Sequence, residues 1–268
     1  MSELVEKSPA ESADYTPINT ATMAGKAQIL GAALGATLKG IPALLPLVLL
    51  VGGLGHLVMS WGGALMVDIL KPTGQGELWT SELTKQGVAI LWFILAKPLI
   101  DASAIYVWRK VRRGQDFSTG QVLNWAIGRY KRMLKPHAAK FLTVSLGLII
   151  VVPGVLFGLQ YAFVHAIAAT EEDPKSVLSK SQRFTQGRRG RIAAVWVPYA
   201  LLWYPAYSVI ATYQVEAWGW YAVAGFGALD MLFLTIMTMV LYGMYEERVH
   251  DARIAKARRD AKKSDAEA

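Results

Sequence analysis

The chain contains no cysteine among its 268 residues. Disulfide bonds, thiolate metal sites and cysteine nucleophiles are therefore excluded. Charged residues are also scarce, at 18% of the chain against 53% hydrophobic residues. Three long stretches contain no Asp, Glu, Lys or Arg: Ile41–Val67, Phe141–Thr170 and Ile192–Val215. Because roughly 20 apolar residues cross a bilayer core of about 30 Å, the sequence predicts a membrane protein.

Hydropathy predicts an all-α, polytopic helical membrane protein with about six membrane segments, at 41–64, 88–108, 138–152, 154–170, 192–213 and 218–245. The third and fourth segments form one apolar stretch, which as a single helix would be about 50 Å long. Pro153 and Gly154 lie at its midpoint and predict a hairpin turn. Each arm of that hairpin is only about 22 Å long. A re-entrant hairpin that stops short of the far face is therefore the alternative to two full crossings.

The uneven distribution of the basic residues predicts the orientation. Of the 28 Lys and Arg residues, only Lys71, Lys85 and Lys97 lie outside four regions. Those regions are the N-terminal part, the loop after the second segment, the loop after the fourth segment, and the part after Tyr245. The positive-inside tendency places all four in the cytoplasm, together with both termini. The net charge of +8 is then a topology signal, so no nucleic-acid partner is predicted.

The chain divides into a disordered cytoplasmic tail at 1–22, a helical membrane domain at 23–245 and a basic cytoplasmic tail at 246–268. The first tail lacks the basic start and apolar core of a signal peptide. Each pair of segments follows a predicted amphipathic surface helix. The first lies at about 23–39, the second begins at Ser118 with Gln121 as its capping-box partner, and the third runs from Asp173 to about Gln186. This recurrence predicts a threefold repeat of helix plus hairpin. Amphipathic connectors, which are common in helical membrane proteins, are the alternative explanation.

Ionisable residues at membrane depth are costly, and each is a candidate functional residue. Lys97 and Asp101 lie one helical turn apart in the second segment and can pair directly. Asp230 lies midway along the last segment. We predict an intramembrane charged cluster of Lys97, Asp101 and Asp230 that either binds protons or a solute or fixes helix register as a buried ion pair. A water-accessible cavity would favour transport, whereas a closed bundle with paired groups would favour the structural role.

No catalytic residues, metal site or cofactor are predicted. The intramembrane histidines, His56 and His165, lack the spacing of a helical metal site, so hydrogen-bonded packing roles are expected. No nucleophile-elbow or phosphate-loop motif is present either. Two basic runs could contact anionic lipid headgroups, although their topogenic role alone would explain them. These residues are Arg109, Lys110, Arg112, Arg113, Arg188, Arg189 and Arg191.

Several short motifs together carry a resemblance to a known family. They are Lys97-Pro98-Leu99, Gly114, Phe117, Ser118, Val152-Pro153-Gly154, Tyr161-Ala162-Phe163-Val164, Glu171 and the run from Ser181 to Gly187. The chain resembles the membrane domain of some glycerophosphodiester phosphodiesterases and the related uncharacterised bacterial inner-membrane proteins. This resemblance implies a helical membrane fold in the bacterial inner membrane. Family members with phosphodiesterase activity carry it in a separate soluble domain rich in metal ligands, which this sequence does not show.

We therefore expect a multi-pass inner-membrane protein without enzymatic activity. Its expected role is structural, in assembly or in envelope maintenance, with membrane lipids and a further membrane protein as partners. The alternative is a small transporter or lipid translocator that uses the charged cluster. An intramembrane enzyme ranks third, because the sequence contains no catalytic constellation.

Overall fold

The computed structural model describes residues 17–55, 57, 65, 77–171 and 176–267. This part of the chain is helical and contains no strand, so the predicted all-α class is confirmed. The helices are α1 (Met23–Val48), α2 (Glu77–Arg112), α3 (Thr119–Leu148), α4 (Val152–Gln160), α5 (Val164–Thr170), α6 (Val177–Thr185) and α7 (Arg189–Glu267). A π-helical stretch, Leu49–Leu54, continues α1.

Four helical stretches of the described chain are long and apolar enough to cross a membrane. They are Met23–Leu54, Ile90–Arg112, Val152–Thr170 and Ala224–Ala261. The protein therefore has the helices of a membrane protein. The predicted count of six segments and the threefold repeat are not confirmed.

The first two predicted surface helices are the first turns of long helices, not separate elements. Helix α1 covers 23–39 and continues into the first segment. Helix α3 begins at the predicted capping box, in which Ser118 and Gln121 each bond to the other's backbone. The helix then continues through Pro136 to Leu148. Membrane helices tolerate such prolines because neighbouring groups satisfy the freed backbone carbonyls.

The predicted hairpin is present, but its reversal comes slightly earlier than Pro153-Gly154. The chain turns at Ile149–Val151, and Pro153 lies in the first turn of α4, where a missing N–H costs nothing. Gly154 lies against the end of α3, since a Cβ at this position would come 2.4 Å from the backbone nitrogen of Leu148. The hairpin is thus closed by backbone contact between its two arms.

The tip of this hairpin is strongly apolar. Ile149, Ile150, Val151 and Val152 are 63–78% exposed. Their backbone N–H groups all bond to carbonyls in the last turn of α3 or in the turn itself, at 2.7–3.3 Å. A turn that exposes four large apolar side chains and satisfies its own N–H groups is suited to a hydrocarbon environment. From 138 to the end of α3 the arm rises only about 16 Å, roughly half of a bilayer core.

The break between α4 and α5 is supported by α6. At this break the carbonyl of Gln160 accepts hydrogen bonds from the hydroxyls of Ser181 (3.0 Å) and Thr185 (3.3 Å). The backbone N–H of Phe163 donates to the Ser181 hydroxyl at 3.2 Å. Both hydroxyl side chains belong to fully buried residues. Helix α6 therefore supplies the partners that the interrupted helix lacks.

Replacing Ser181 by Ala should therefore leave the Phe163 N–H unpaired in the interior. Unpaired buried polar groups cost about 1–3 kcal/mol, so we expect the free energy of unfolding to fall by that amount. Denaturant unfolding in detergent micelles measures the change. Ser179→Ala is the matched control, because Ser179 lies on the exposed side of the same helix. Equal stabilities of the two variants would contradict this role for Ser181.

Helix α7 is helical over 79 consecutive residues, but it cannot be straight. Arg191 Nη1 lies 3.4 Å from Glu247 Oε1, and Arg188 forms an ion pair with Asp251. A straight helix would separate Arg191 from Glu247 by about 84 Å, so α7 reverses direction between them. The predicted outer loop at 214–217 is nevertheless helical, because Gln214-Val215-Glu216-Ala217 contains neither glycine nor proline.

The structure describes part of each of the two predicted tails. The predicted disordered tail extends to residue 22, yet the Thr20 hydroxyl donates a 2.5 Å hydrogen bond to buried Glu247. Thr22 caps α1 by accepting from the N–H of Gly25 at 3.0 Å. Ile18 and Thr20 are therefore packed against the protein, whereas Asn19, Ala21 and Thr22 are exposed, and residues 1–16 lie outside the described chain. The predicted basic tail continues α7, with Glu247 buried and residues 251–261 exposed.

Candidate functional site

A buried carboxylate forms the centre of the site. Asp101 lies in α2 and is 0% exposed. Its Oδ1 accepts hydrogen bonds from Lys97 Nζ at 2.6 Å and from the hydroxyl of Thr238 in α7 at 2.7 Å. Its Oδ2 lies 2.7 Å from His165 Nδ1 in α5. Three partners on three helices therefore surround one charge.

The first of these contacts follows from helix geometry. Lys97 precedes Asp101 by four residues, so the two side chains lie on the same face of α2. Lys97 is 7% exposed, and its ammonium lies 5.8 Å from the centre of the Phe93 ring one turn earlier. The ammonium is therefore held between a carboxylate and an aromatic face, both of which stabilise a buried cation.

The network continues beyond Asp101 through two histidines. His165 Nε2 lies 2.8 Å from His137 Nδ1 in α3. The two residues are 8% and 2% exposed. The second ring nitrogen of His137, Nε2, is buried and has no hydrogen-bond partner within the described chain. We name Lys97, Asp101, His137, His165 and Thr238 the Asp101 network.

The Asp101 network connects four helices: α2, α3, α5 and α7. Its contacts with α3 and α5 lie away from the apolar hairpin tip. His137 comes before the tip along α3, and His165 comes after it, in α5. The arms of the hairpin are thereby attached to the long helices α2 and α7. This attachment positions the hairpin within the bundle.

The structure brings Lys97 and Asp101 together, as the spacing predicts, but places Asp230 elsewhere. Asp230 precedes Thr238 by eight residues in α7, which corresponds to about 12 Å along a helix. Asp230 is also partly exposed, whereas Asp101 is fully buried. The residues that join Lys97 and Asp101 in the structure are His165, His137 and Thr238.

The donor atoms of Asp101, His137 and His165 come within 4.8 Å of one another, which raises the question of a metal site. His165 contacts Asp101 through Nδ1 and His137 through Nε2, on opposite sides of its ring. A single ion cannot bind both nitrogens of one imidazole, so an ion held by all three residues would have to replace at least one of the two contacts that His165 makes. Lys97 already neutralises the carboxylate, and an added divalent ion would leave uncompensated charge in the interior. The arrangement fits a hydrogen-bonded chain better than a metal centre.

The predicted lipid-contacting residues differ in their surroundings. Arg109 is 5% exposed, and its guanidinium lies 5.9 Å from the Trp125 ring. Arg188 forms ion pairs with Glu247 and Asp251. Arg109 and Arg188 are thus engaged inside the protein. The others are partly exposed: Lys110, Arg112, Arg113, Arg189 and Arg191.

The sequence contains little that could have revealed the two histidines as partners of Asp101. His137 and His165 are 28 residues apart on different helices, and His165 is 64 residues from Asp101. The one available signal is that all three are ionisable residues within or beside predicted membrane segments. Such residues find partners in the bundle interior, but the partners cannot be assigned without the packing.

Comparison with known proteins adds no assignment to this site. No family model, curated protein or solved structure matches the chain.

Proposed function

We propose that this protein is a multi-pass bacterial inner-membrane protein without enzymatic activity, acting as a helical scaffold in membrane-protein assembly or envelope maintenance. The Asp101 network is the observation that carries this proposal. Its central charge is fully buried, accepts hydrogen bonds from Lys97 and from Thr238 in α7, and lies 2.7 Å from His165 in α5. This is the closed, paired arrangement expected of a group that specifies helix packing.

Energetics support such a role. A buried ion pair contributes little net stability compared with apolar residues of the same size, because removing both charges from water is costly. Its effect is on specificity, since any packing that separates Lys97 from Asp101 leaves a charge unpaired in an apolar interior. The network thereby favours one arrangement of α2, α3, α5 and α7 over others.

We further propose that the α3–α4 hairpin is re-entrant and that α7 provides two membrane arms. The short rise of the hairpin and its apolar tip support the first statement. The ion pairs between the two ends of α7 support the second. With this topology the basic loops and both termini lie on one side of the membrane, in the cytoplasm, as the positive-inside tendency requires.

Anionic lipids are proposed as surface partners of this scaffold, together with a further membrane protein. The side chains concerned are Lys110, Arg112, Arg113, Arg189 and Arg191, which remain partly exposed. Lys110 and Arg112 lie 5.5 Å and 5.8 Å from the rings of Tyr106 and Trp108. Both rings are buried in the protein, so the support for lipid contact is the position of the basic groups near the ends of membrane helices, which suits the headgroup region.

A transporter is the second candidate, and the ionisable character of the network favours it. Transport would require access from solvent to the charged pair. Asp101 is completely enclosed, so a transporter would need a second conformation that opens the bundle.

Complementation of a deletion strain separates the two candidates. Removing both charges together leaves neither one unpaired in the interior, so a scaffold keeps its packed bundle. Lys97→Met/Asp101→Asn should therefore restore envelope integrity as well as the wild-type protein does. Dye permeability of the cell envelope and protein abundance in isolated membranes measure the result. Ser179→Ala, on the exposed side of α6, is the control. Failure of the double variant at normal abundance would contradict the scaffold function and favour transport.

A further inference from the structure

A cavity of about 630 Å³ lies between α1 and the loop that joins α2 to α3. Lys39 and Pro42 of α1 line one side, and the loop residues 114–118 with Thr119 of α3 line the other. Its volume falls within the range of small-molecule sites, roughly 300–1,000 Å³. The cavity shares no residue with the Asp101 network, so it is a second candidate site.

The loop side of the cavity is held at both ends. At the end of α2 the N–H of Gly114 donates to the Val111 carbonyl at 3.1 Å, and the N–H of Gln115 donates to the Lys110 carbonyl at 2.9 Å. These two bonds form the glycine-dependent turn that commonly ends helices, and Gly114 has the required positive φ of 62°. The capping box of α3 begins at Ser118. Only three residues, 115–117, separate the two caps, so the loop has a defined conformation.

The α1 side is fixed by a bond to α3. Proline has no backbone N–H, so Pro46 leaves the carbonyl of Pro42, four residues earlier, without its helical donor. The Thr119 hydroxyl donates to this carbonyl at 3.4 Å. Both Pro42 and Thr119 line the cavity, and the bond between them holds its two sides together. The cavity is therefore formed before any ligand arrives.

Two opposite charges line this cavity without neutralising each other. Lys39 comes from α1 and Asp116 from the loop, and both side chains are exposed. Neither residue forms a hydrogen bond or an ion pair within the part of the chain that the structure describes. A ligand that carries one anionic and one cationic group can pair with both at once.

The lining chemistry narrows the class of this ligand. The Ser118 hydroxyl accepts from the N–H of Gln121 at 3.3 Å, so its own hydrogen is available to a phosphate that pairs with Lys39. Asp116 accepts hydrogen bonds from a primary ammonium, whereas a quaternary ammonium has no hydrogen to donate. A headgroup with negative charge alone would leave Asp116 unpaired and repelled. The combination fits a phosphate joined to a primary amine, which is the phosphoethanolamine group.

The surroundings of Lys39 indicate a lipid as the source of this group. Lys39 lies just before the uncharged run that begins at Ile41, a position at which a lysine ammonium reaches the headgroup region. Beside it α1 exposes Leu38 (67%), Ile41 (37%) and Leu45 (46%), which offer an apolar surface to acyl chains. We propose that the cavity binds the headgroup of a phosphoethanolamine phospholipid. The inference goes beyond the scaffold function and rests only on the proposed membrane embedding of α1.

Native mass spectrometry of the delipidated full-length protein in detergent tests the proposal. Dioleoyl phosphatidylethanolamine is the probe, and dioleoyl phosphatidylcholine is the comparison lipid. We expect wild type to retain the ethanolamine lipid about tenfold more tightly, the effect of a charge-assisted hydrogen bond. Lys39→Gln should weaken its binding by about the same factor. Lys131→Gln is the matched control, because Lys131 is an exposed lysine of α3 outside the cavity.

Asp116→Asn tests the ammonium side of the site separately. This variant should bind the two lipids equally, because the amide carries no charge to pair with the ammonium. Asp260→Asn, at an exposed position of α7, is its control and should keep the preference. All four substituted side chains are exposed, so the fold does not depend on them.

Equal retention of the two lipids by wild type, or unchanged retention in Lys39→Gln, would overturn the proposal. Soluble O-phosphoethanolamine distinguishes a lipid from a free metabolite. It lacks the chains that contact α1, so it should not displace the lipid at equal concentration, and displacement would refute the lipid as the source. Lipid retention and envelope complementation are separate measurements, so either proposal can fail alone.

Discussion

Asp101→Asn is expected to lower the free energy of unfolding by about 3–5 kcal/mol, the cost of removing one partner from a buried ion pair. The amide retains an acceptor for Thr238 and a polar group near His165, so the main change is the loss of charge. Lys97 would then be a buried ammonium without a counter-charge, since it is only 7% exposed. Unfolding in detergent by increasing SDS fraction measures the difference.

Two further variants identify which interaction causes the loss of stability in Asp101→Asn. Lys97→Met/Asp101→Asn removes both charges and should return the stability to within about 1 kcal/mol of wild type, because the cost comes from the unpaired ammonium. Asp230→Asn removes a partly exposed carboxylate from α7 and should have a much smaller effect than Asp101→Asn. Equal losses in Asp101→Asn and in the double variant would show that the hydrogen bonds, and not the ion pair, dominate.

Gly154→Ala should disrupt the α3–α4 hairpin and lower the free energy of unfolding by about 3 kcal/mol, the upper range for overpacking. An added Cβ would lie 2.4 Å from the Leu148 backbone nitrogen and 2.6 Å from its Cα. Backbone atoms cannot move aside as a side chain can, so the two arms must separate. Proteolysis at the apolar tip and SDS-induced unfolding both report the separation.

Gly158→Ala is the matched control in the same helix. A Cβ at Gly158 meets nothing within 4 Å in the described chain, and alanine is the better helix former. This variant should therefore be neutral or slightly more stable than wild type. Comparable destabilisation by both substitutions would mean that glycine at 154 serves flexibility and not close approach.

Much of the secondary structure could be predicted from the sequence because its signals are local. The uncharged runs predict membrane helices, and the capping box at Ser118 and Gln121 marks the start of α3. The Pro153-Gly154 pair indicates a hairpin within three residues of where the chain turns. The reversal within α7 agrees with the two segments predicted at 192–213 and 218–245, but no loop marks it, because residues 214–217 are helical. The evidence for the reversal is a contact between residues 56 positions apart.

Only the part of the site that lies on a single helix could be predicted from the sequence. By itself the sequence determined an all-helical membrane protein with Lys97 and Asp101 on one face of α2, because residues four apart in a helix are neighbours. Tertiary structure alone decided that His165, His137 and Thr238 complete the site and that Asp230 lies outside it. The physical reason is that the partners of a buried charge are set by how helices pack against each other. The spacing of residues along one helix carries no information about that packing.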